Sequence, residues 1–482
     1  MIRAFFHDSL IYTIPAILSR GLSIILVPLY TRVLSPVDYG ALDMLMVFGS
    51  LANLTVALEV SQGVARFYAA EEDGVKKVQY ASTAFWFTLF CYTLFLVFTI
   101  SLAPLLSQFI IGRADLDPVF RLGMAYIWAN GIFYLVQNQF RWELRSKQYA
   151  IASVLVTLTT ASLAVTLAYF LGWGLSGLLW GMLGGALAGC FYGISSLRAS
   201  FQPVFKKERL KEMLLFSAPL VPSGIAVFIS HYIDRLMINH FLSLGDLGLY
   251  GIGFRLSSIV GLVMVGFQGA LTPLIYTNYK SSDTPRQIAV IFRAFLFFAL
   301  MLFFGLAGFA DEILRLLTTP DYYSAAGVVV FLVPAILISN MYIFAPGIGI
   351  AKKTHLTLWI NIGGALANTC FNYFLIPLFG IRGAAAATLL GYVLVFTAYM
   401  RFSQKFYPVA HNWPALGKAT FAALACILAA NLLPFGMLLN LFLKGTLAFV
   451  LAFVLIRTGI ITREELSKAV RALQSRFIQG KS

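Results

Sequence analysis

Long, nearly uncharged apolar runs recur along this chain from close to its first residue to about residue 460. A helix that crosses a bilayer needs about 20 mostly apolar residues, because backbone groups in lipid must be hydrogen-bonded within the segment. Runs bounded by charged or turn residues predict about 14 such spans. Their limits are 9–31, 39–62, 79–103, 118–140, 149–171, 174–196, 212–240, 247–276, 287–310, 325–350, 356–378, 381–405, 414–435 and 438–460. We therefore predict an all-α polytopic membrane protein.

The composition argues against the water-soluble classes. Only 11% of the residues are charged, whereas soluble domains carry about 25%. A net charge of +15 would suggest nucleic acid for a soluble protein, but these basic residues lie in short gaps between the spans. We expect the lipid bilayer as a partner and no nucleic acid. The four cysteines form no CxxC pair and no cluster with histidine, so we expect neither a disulfide framework nor a metal site.

The basic residues are unequally divided between the two sides of the predicted membrane. Assigned to alternate loops and the span ends beside them, 26 Lys and Arg residues lie on one side and seven on the other, and the remaining two, Arg20 and Arg255, fall inside spans. The side richer in Lys and Arg is normally cytoplasmic, so an even number of spans places both termini in the cytoplasm. The first apolar run is too long for the core of a cleavable signal peptide.

Two short motifs recur at a nearly constant offset. The sequence LSPVDYG at 34–40 returns as LSLGDLG at 242–248, and GLSG at 174–177 returns as GIRG at 380–383. This repetition predicts a duplicated unit of six spans, with the copies related by an axis along the membrane normal. We predict a first lobe at 1–200, a cytoplasmic linker at 201–212, a second lobe at 213–405, and two extra C-terminal helices with a tail at 406–482.

Ionisable side chains at membrane depth are costly and normally face a cavity or a partner. Arg20 and Arg255 would form an anion clamp, because the guanidinium fork suits phosphate or pyrophosphate. Alternatively, Arg20 pairs with Asp43 or Glu59 in a buried ion pair. For Arg255, the alternative is a place close enough to a helix end for its side chain to reach the interface.

Three further residues are candidates for carrying a coupling ion. Asp43 and Glu59 lie in the second predicted span and His231 lies in the seventh. A carboxylate can bind a proton or a sodium ion, and histidine titrates near neutral pH. The alternative for the two carboxylates is a solvated place near a helix end. For His231, the alternative is a packed, hydrogen-bonded side chain.

Polar residues also line one face of two predicted spans. The fourth span carries Asn130, Gln137 and Arg141, and the eleventh repeats the amide pattern with Asn361, Asn368 and Asn372. Residues spaced by four or seven positions lie on one side of a helix. Such stripes would bind sugar hydroxyls in a cleft. The alternative is hydrogen bonding between neighbouring helices, worth about 0.6 kcal/mol per contact.

No catalytic constellation is apparent in the sequence. We find no P-loop, no nucleophile motif and no GxGxxG next to a strand. The connecting segments are also too short for an ATPase or glycosyltransferase domain. We therefore expect a transporter that is not an enzyme and has no bound cofactor.

Three segments resemble bacterial polysaccharide flippases of the Wzx type, which form the polysaccharide-transporter branch of the multidrug/oligosaccharidyl-lipid/polysaccharide exporter superfamily. The segments are PLYTRVLSPVDYG at 28–40, Ser217-Ala218-Pro219 with the later pair Asp234-Arg235, and Gly248-Leu249-Tyr250. Their order and spacing extend the resemblance over essentially the whole chain, including an arrangement of six, six and two spans.

The resemblance implies a flippase that moves an undecaprenyl-pyrophosphate-linked oligosaccharide, such as an O-antigen unit, across the bacterial inner membrane. It implies alternating access driven by an H⁺ or Na⁺ gradient, and a cationic cavity in which Arg20 and Arg255 would fit. Asp234 and Arg235 would stabilise an external gate or cap a helix end. A polysaccharide polymerase and a chain-length regulator are the implied protein partners.

Three alternative functions stay open at this point. One is a multidrug or cation antiporter of the same superfamily, although such a protein should favour acidic residues in its cleft. Another is a flippase for peptidoglycan precursors or teichoic-acid lipids. An integral-membrane glycan polymerase would need a large external loop, and the sequence predicts none.

Overall fold

The computed structural model describes residue 18 and residues 21–433 and 435–460. These residues form helices joined by short segments, without a strand among them, which confirms the predicted all-α class. The α-helices are α1 (Val27–Tyr30), α2 (Pro36–Thr55), α3 (Val60–Ala70), α4 (Gly74–Ser101), α5 (Ala103–Ile110), α6 (Asp117–Trp142), α7 (Ser146–Ala164), α8 (Gly174–Ser196), α9 (Lys207–Ser217), α10 (Leu220–Phe241), α11 (Leu244–Ser257), α12 (Ile259–Asn278), α13 (Thr284–Phe303), α14 (Ala310–Leu317), α15 (Ala326–Ser339), α16 (Gly347–Ile350), α17 (Thr354–Phe406), α18 (Trp413–Asn431) and α19 (Met437–Arg457).

The described helices include nine that are long and apolar enough to cross a membrane, or up to eleven if each of two bent pairs is one span. The chain is therefore a multi-pass membrane protein. The 53-residue helix α17 is interrupted at Gly380, whose φ of 60° and ψ of −141° are not helical. That one helix contains two of the predicted spans. The predicted total of 14 stays a prediction, and the first predicted span lies partly outside the described residues.

Both repeats of the GLSG/GIRG motif mark a tight helical hairpin. Helices α7 and α8 are joined through Gly172 and Gly174, which have φ values of 70° and 54°. A Cβ added at Gly181 would lie 2.7 Å from Ala164 Cβ. In α17, a Cβ at Gly383 would lie 2.0 Å from the carbonyl oxygen of Leu375. Glycine is therefore needed both for the turn and for the close helix contact.

Two predicted spans are bent by 45°, between α2 and α3 and between α9 and α10. The predicted span 39–62 is interrupted by Leu58 and Glu59, which adopt left-handed φ values of 49° and 53°. The predicted span 212–240 begins earlier, at Lys207, and is interrupted next to Pro219. Proline removes a backbone donor and disrupts the helix, whereas no proline or glycine accounts for the first bend.

The chain divides into two compact units, Met1–Gly251 and Ile252–Ser482. The core of the first unit includes the fully buried Phe140 and Tyr92. The second unit has its own buried aromatic residues, among them Phe295 and Phe344, whose ring centroids are 5.1 Å apart. The predicted boundaries at residues 200, 212 and 405 stay predictions.

The segment predicted as a linker is bound to helix α4. The backbone N–H of Gln202 donates to Ser82 Oγ at 2.9 Å, and that of Lys206 donates to Thr83 Oγ1 at 3.1 Å. Trp86 Nε1 donates to the Gln202 carbonyl at 2.8 Å. These bonds satisfy backbone groups outside regular structure, so the segment is held against the first unit.

A buried ion pair ties the last described helix to the second unit. Lys444 Nζ on α19 lies 2.7 Å from Glu312 Oε1 and 2.8 Å from Oε2 on α14. Both residues are buried, and the ammonium lies 6.0 Å from the Phe309 ring centroid. Removing one member of such a pair strands the other charge.

Replacing Lys444 alone should destabilise the protein strongly. We expect Lys444→Met to cost about 3–5 kcal/mol, measured as a lower melting temperature of the purified chain in detergent. The double variant Glu312→Leu, Lys444→Met should recover most of the loss, and Lys418→Met, at an exposed position, should change little. Equal melting temperatures for wild type and Lys444→Met would show that the pair contributes nothing.

His411, in the segment between α17 and α18, is buried between aromatic rings. Its ring centroid lies 4.9 Å from that of Phe292 and 5.2 Å from that of Trp413. Neither ring nitrogen has a hydrogen-bond partner among the described residues. Burial disfavours the charged imidazolium and lowers the pKa of His411 from 6.5 to about 4.

This histidine should make stability depend on pH. The unfolded chain binds the proton more readily, so stability is complete above the ordinary pKa of 6.5 and falls as the pH approaches 4. The slope is about 1.4 kcal/mol per pH unit. Melting temperatures between pH 7 and pH 4 should show a smaller acid loss for His411→Leu than for wild type or for the exposed control His355→Gln. An unchanged slope in His411→Leu would contradict this assignment.

Candidate functional site: two polar clusters in the first unit

The two copies of the LSPVDYG/LSLGDLG motif form the same local structure. Asp38 N donates to Ser35 Oγ at 3.2 Å, while Ser35 N donates to the Asp38 carboxylate at 2.9 Å. In the second copy, the same bonds join Ser243 and Asp246 at 3.1 and 3.2 Å. Each motif is a capping box, which satisfies two free N–H groups at a helix start. The repeated sequence thus fixes where α2 and α11 begin.

The two helix starts pack against each other reciprocally. A Cβ added at Gly40 would lie 1.9 Å from the Leu244 carbonyl oxygen, and one added at Gly248 would lie 1.9 Å from the Pro36 carbonyl oxygen. The pairs 36/244 and 40/248 have the same offset in the sequence. Reciprocal contact between equivalent positions is the property of a two-fold interface. We call this contact the glycine seam.

A polar cluster lies beside the glycine seam, formed by Asp43, Tyr232, Asp234, Arg235 and Tyr250. Arg235 Nε lies 3.8 Å from Asp43 Oδ2, and its Nη1 lies 3.5 Å from Asp234 Oδ1. The guanidinium carbon lies 5.5 and 5.8 Å from the ring centroids of Tyr232 and Tyr250. Tyr250 donates a short hydrogen bond to Asp234. We call these residues the Arg235 cluster.

The Arg235 cluster depends on glycine at a position equivalent to one of its carboxylates. A Cβ at Gly251 would lie 2.4 Å from Asp43 Oδ2, and residue 251 is the counterpart of residue 43 in the second copy of the motif. The Arg235 side chain is only 8% exposed. A buried guanidinium requires nearby counter-charge, so Asp43 and Asp234 together hold it in place.

A second polar cluster surrounds the break between α2 and α3. Glu59 Oε2 is buried and has no hydrogen-bond partner among the described residues. The Glu59 side chain bonds to Gln62 and interacts electrostatically with Tyr92 and Tyr134. The Tyr92 hydroxyl donates to Asn53 Oδ1 at 2.9 Å. We call Asn53, Glu59, Gln62, Tyr92 and Tyr134 the Glu59 cluster.

The predicted stripe on the fourth span makes contacts with its neighbouring helix. Gln137 Nε2 donates to Ser153 Oγ at 2.7 Å, and Arg141 Nη2 donates to the Tyr149 hydroxyl at 2.6 Å. Both partners lie on α7. Asn130, on the same stripe, is half-buried.

The stripe on the eleventh span lies partly inside the α17 hairpin. Asn368 Nδ2 donates to the Ala387 carbonyl at 3.3 Å, and Asn372 Nδ2 donates to Asn368 Oδ1 at 3.0 Å. Asn361 is exposed and accepts from the Tyr399 hydroxyl at 3.5 Å. These bonds match the helix-bonding alternative, and a role in binding sugars stays a prediction.

The remaining predicted residues do not belong to either polar cluster. Arg20 lies outside the described residues. Arg255 is half-buried in the last turn of α11, and its carbonyl accepts from Ser258 Oγ at 2.7 Å. His231 is exposed, and its Nδ1 lies 2.9 Å from the Val227 carbonyl oxygen. Of the candidates, Asp43, Asp234 and Arg235 are brought together.

Sequence reasoning missed several residues of these clusters. Tyr232 and Tyr92 carry no charge and form no motif, and aromatic residues are common in the spans. The equal offset of Gly40 and Gly248 was a usable signal for the glycine seam, because the repeat itself contains both glycines. In the part of the chain that the structure describes, no three His, Cys, Asp or Glu side chains are grouped so as to hold a metal ion.

The family model and a relative that match this chain are both named for polysaccharide or glycan biosynthesis. The family model for polysaccharide biosynthesis proteins matches residues 29–327. The probable low-salt glycan biosynthesis flippase Agl15 of Haloferax volcanii is 23% identical over 48% of this chain. The match spans 50% of that relative's length. The Lsg locus putative protein 1 of Haemophilus influenzae is 24% identical over 57% of this chain and 67% of its own.

Solved structures show the same fold at low sequence identity. The lipid II flippase MurJ in an inward closed conformation matches with a TM-score of 0.71 and 15% identity, over 94% of this chain and all of that chain. An inward-facing multidrug-resistance transporter of the MATE family matches with a TM-score of 0.62 and 15% identity, over 83% and 97%. At such identities the likeness establishes the fold alone. Because the family model matches more than half of its residues, this chain belongs to the polysaccharide biosynthesis protein family, within the multidrug/oligosaccharidyl-lipid/polysaccharide exporter superfamily.

Proposed function

We propose that this protein flips a polyprenyl-pyrophosphate-linked oligosaccharide across the bacterial inner membrane by alternating access. Membership of the polysaccharide biosynthesis family supports a glycan substrate. The haloarchaeal relative is named a probable glycan biosynthesis flippase, which supports translocation. We propose undecaprenol as the lipid and both termini in the cytoplasm, in keeping with the distribution of Lys and Arg. A polymerase and a chain-length regulator stay predicted partners.

The glycine seam is the observation that carries the mechanism. It brings two copies of one motif together through backbone atoms and glycines, with no large side chain interlocked at Gly40 or Gly248. Such a contact can separate and re-form at little cost, as one end of an alternating-access transporter requires. By the Lys and Arg bias this end faces away from the cytoplasm, so the seam serves as the external gate.

The Arg235 cluster acts as the latch of this gate. Arg235 on α10 is held by Asp43 on α2 and by Asp234, and Tyr250 on α11 bonds to Asp234. Opening the seam separates these elements and exposes a buried charge, which favours closure until another interaction compensates. The predicted alternative, that Asp234 and Arg235 only cap a helix end, does not explain the contact with Asp43.

Arg20 and Arg255 are proposed to bind the pyrophosphate. Two guanidinium groups can each donate bidentate, charge-assisted hydrogen bonds to phosphate oxygens. The sugars would enter the polar part of the cavity, while the lipid tail stays in the bilayer because each buried methylene is worth about 0.8 kcal/mol.

Alanine at either arginine should slow flipping. We expect Arg20→Ala and Arg255→Ala to lower the flipping rate by about 10–100-fold, since hydrogen bonds to charged groups contribute about 1.5–3 kcal/mol. Arg255→Lys should lose less, because it keeps the charge. The measurement is flipping of a fluorescent undecaprenyl-pyrophosphate disaccharide in proteoliposomes at matched protein content. Arg113→Ala, at an exposed site paired with Asp115, is the control. Wild-type rates in both alanine variants would rule out the clamp.

Locking the glycine seam should trap the transporter. A Cβ at Gly245 would lie 3.7 Å from Val37 Cγ2, so side chains at these two positions are in contact and a pair of cysteines can be tested there. In a background without the four native cysteines, Val37→Cys with Gly245→Cys should lose flipping on oxidation and regain it on reduction. Each single variant should respond to neither treatment. Full activity of the oxidised pair, with the cross-link confirmed by mass spectrometry, would show that the seam does not open.

A further inference from the structure

The backbone at the break between α2 and α3 is strained. Leu58 and Glu59 both adopt left-handed conformations, with φ values of 49° and 53°. Left-handed non-glycine residues cost about 1–3 kcal/mol each and persist where the surroundings impose them. Neither proline nor glycine occurs at 56–59, so tertiary contacts hold this conformation.

The contacts that hold the break come from the other bent pair. Ser217, the last residue of α9, donates its hydroxyl to the Leu58 carbonyl at 2.8 Å. A Cβ at Gly63 would lie 2.7 Å from Met213 Cβ, so α3 and α9 are in close contact. The bends of the two pairs, each of 45°, therefore meet and are hydrogen-bonded to each other.

Glu59 lies at this junction with an incompletely bonded carboxylate. One oxygen, Oε2, is buried without a hydrogen-bond partner among the described residues. The Tyr92 hydroxyl lies near Glu59, but it donates to Asn53 at 2.9 Å instead. Glu59 can therefore accept a proton on Oε2 without losing a hydrogen bond.

Other titratable groups lie on the helices that form this junction or pack against it. Those on α2, α3 and the helices packed against them are Asp38, Tyr39, Asp43, Arg66, Tyr68, Lys76, Lys77, Tyr80, Cys91, Tyr92, Asp117, Arg121, Tyr126, Tyr134, Arg141, Lys207, Glu208, Arg209, Lys211, Glu212, His231, Tyr232, Asp234, Arg235 and His240. Among them, Tyr92 and Tyr134 interact electrostatically with Glu59. Arg209 pairs with Glu212, and Arg235 with Asp43 and Asp234.

A row of polar side chains extends along α6, from Tyr134 near Glu59 to the exposed end of the helix. Tyr134 hydrogen-bonds to Asn138, whose Oδ1 accepts from Arg141 Nη1 at 3.4 Å. Arg141 also donates to the Tyr149 hydroxyl at 2.6 Å, and Arg141 is exposed. Polar side chains therefore line α6 from the neighbourhood of the break to its exposed end.

We propose that Glu59 binds and releases the proton that drives the transport cycle, and that its protonation changes the bend between α2 and α3. This inference rests on the proposed function. Binding converts the carboxylate into a neutral carboxylic acid and removes one negative charge from the junction. The Ser217–Leu58 bond passes the change to α10, which carries Asp234 and Arg235 of the latch.

The first test detects the proton on Glu59 without any substrate. Infrared difference spectra of the purified full-length chain, recorded between pH 5 and pH 9, should contain a carboxylic-acid band that titrates. Glu59→Gln should lose this band. The control Glu72→Gln, at an exposed carboxylate in the segment after α3, should keep it. The same titrating band in Glu59→Gln, or no titrating band in wild type, would overturn the proposal.

The second test measures coupling with a fluorescent undecaprenyl-pyrophosphate disaccharide in proteoliposomes. One coupled proton can shift the leaflet ratio of the probe by about tenfold per unit of pH gradient. Wild type and Glu72→Gln should show this shift, whereas Glu59→Gln should equilibrate the probe without responding to pH. A response to a sodium gradient alone, or a pH response retained in Glu59→Gln, would contradict proton coupling at Glu59. Absence of flipping in wild type would instead contradict the proposed function. The infrared test of the proton on Glu59 does not depend on flipping.

Discussion

Backbone hydrogen bonding in lipid is the constraint on which this structure depends. Because no water reaches the hydrocarbon core, unbroken helices are the default and every interruption must be compensated by protein contacts. At several places in the described chain where a helix is interrupted, the compensating feature is visible. Gly172, Gly174 and Gly380 turn the chain between tightly packed helices, while Ser217 supplies the hydrogen bond at Leu58. Glu59 lies at one of these interruptions, between α2 and α3.

The duplicated motif forms the glycine seam and positions the Arg235 cluster beside it. A capping box can only set where a helix starts, yet two copies set at the same offset produce equivalent surfaces that fit each other. Gly40 and Gly248 allow the backbones to approach, and Gly251 leaves room for the Asp43 carboxylate beside Arg235. In the proposed mechanism, the symmetrical backbone contact allows the gate to separate, and the latch of one arginine and two aspartates favours its closed state. Glu59 follows helix α2, which also carries Asp43 of the latch, and we propose that a proton there acts on the latch through the bend.

Much of the fold was predictable because lipid imposes a strong pattern. Span length, the glycine turns and the repeated motif follow from local sequence, and the structure confirms the helical class and the hairpins. The bend at Leu58 was not predictable, since Val56-Ala57-Leu58-Glu59 is an ordinary apolar helix sequence ending in one acid. Its left-handed residues are imposed by α9, which is distant in the sequence. Likewise, the spacing of Asn368 and Asn372 indicated a shared face but not that this face packs inside the α17 hairpin. Asp43, Asp234 and Arg235 were identified separately, and only the tertiary structure joins them.

The central claim, that this chain moves a lipid-linked oligosaccharide between leaflets, is tested most directly by locating that lipid in cells. In a strain that lacks this protein and has no redundant flippase, the lipid-linked oligosaccharide should accumulate in the cytoplasmic leaflet of the inner membrane. It should return to the outer leaflet when the gene is restored. Unchanged delivery to the outer leaflet in the deletion strain would contradict the claim.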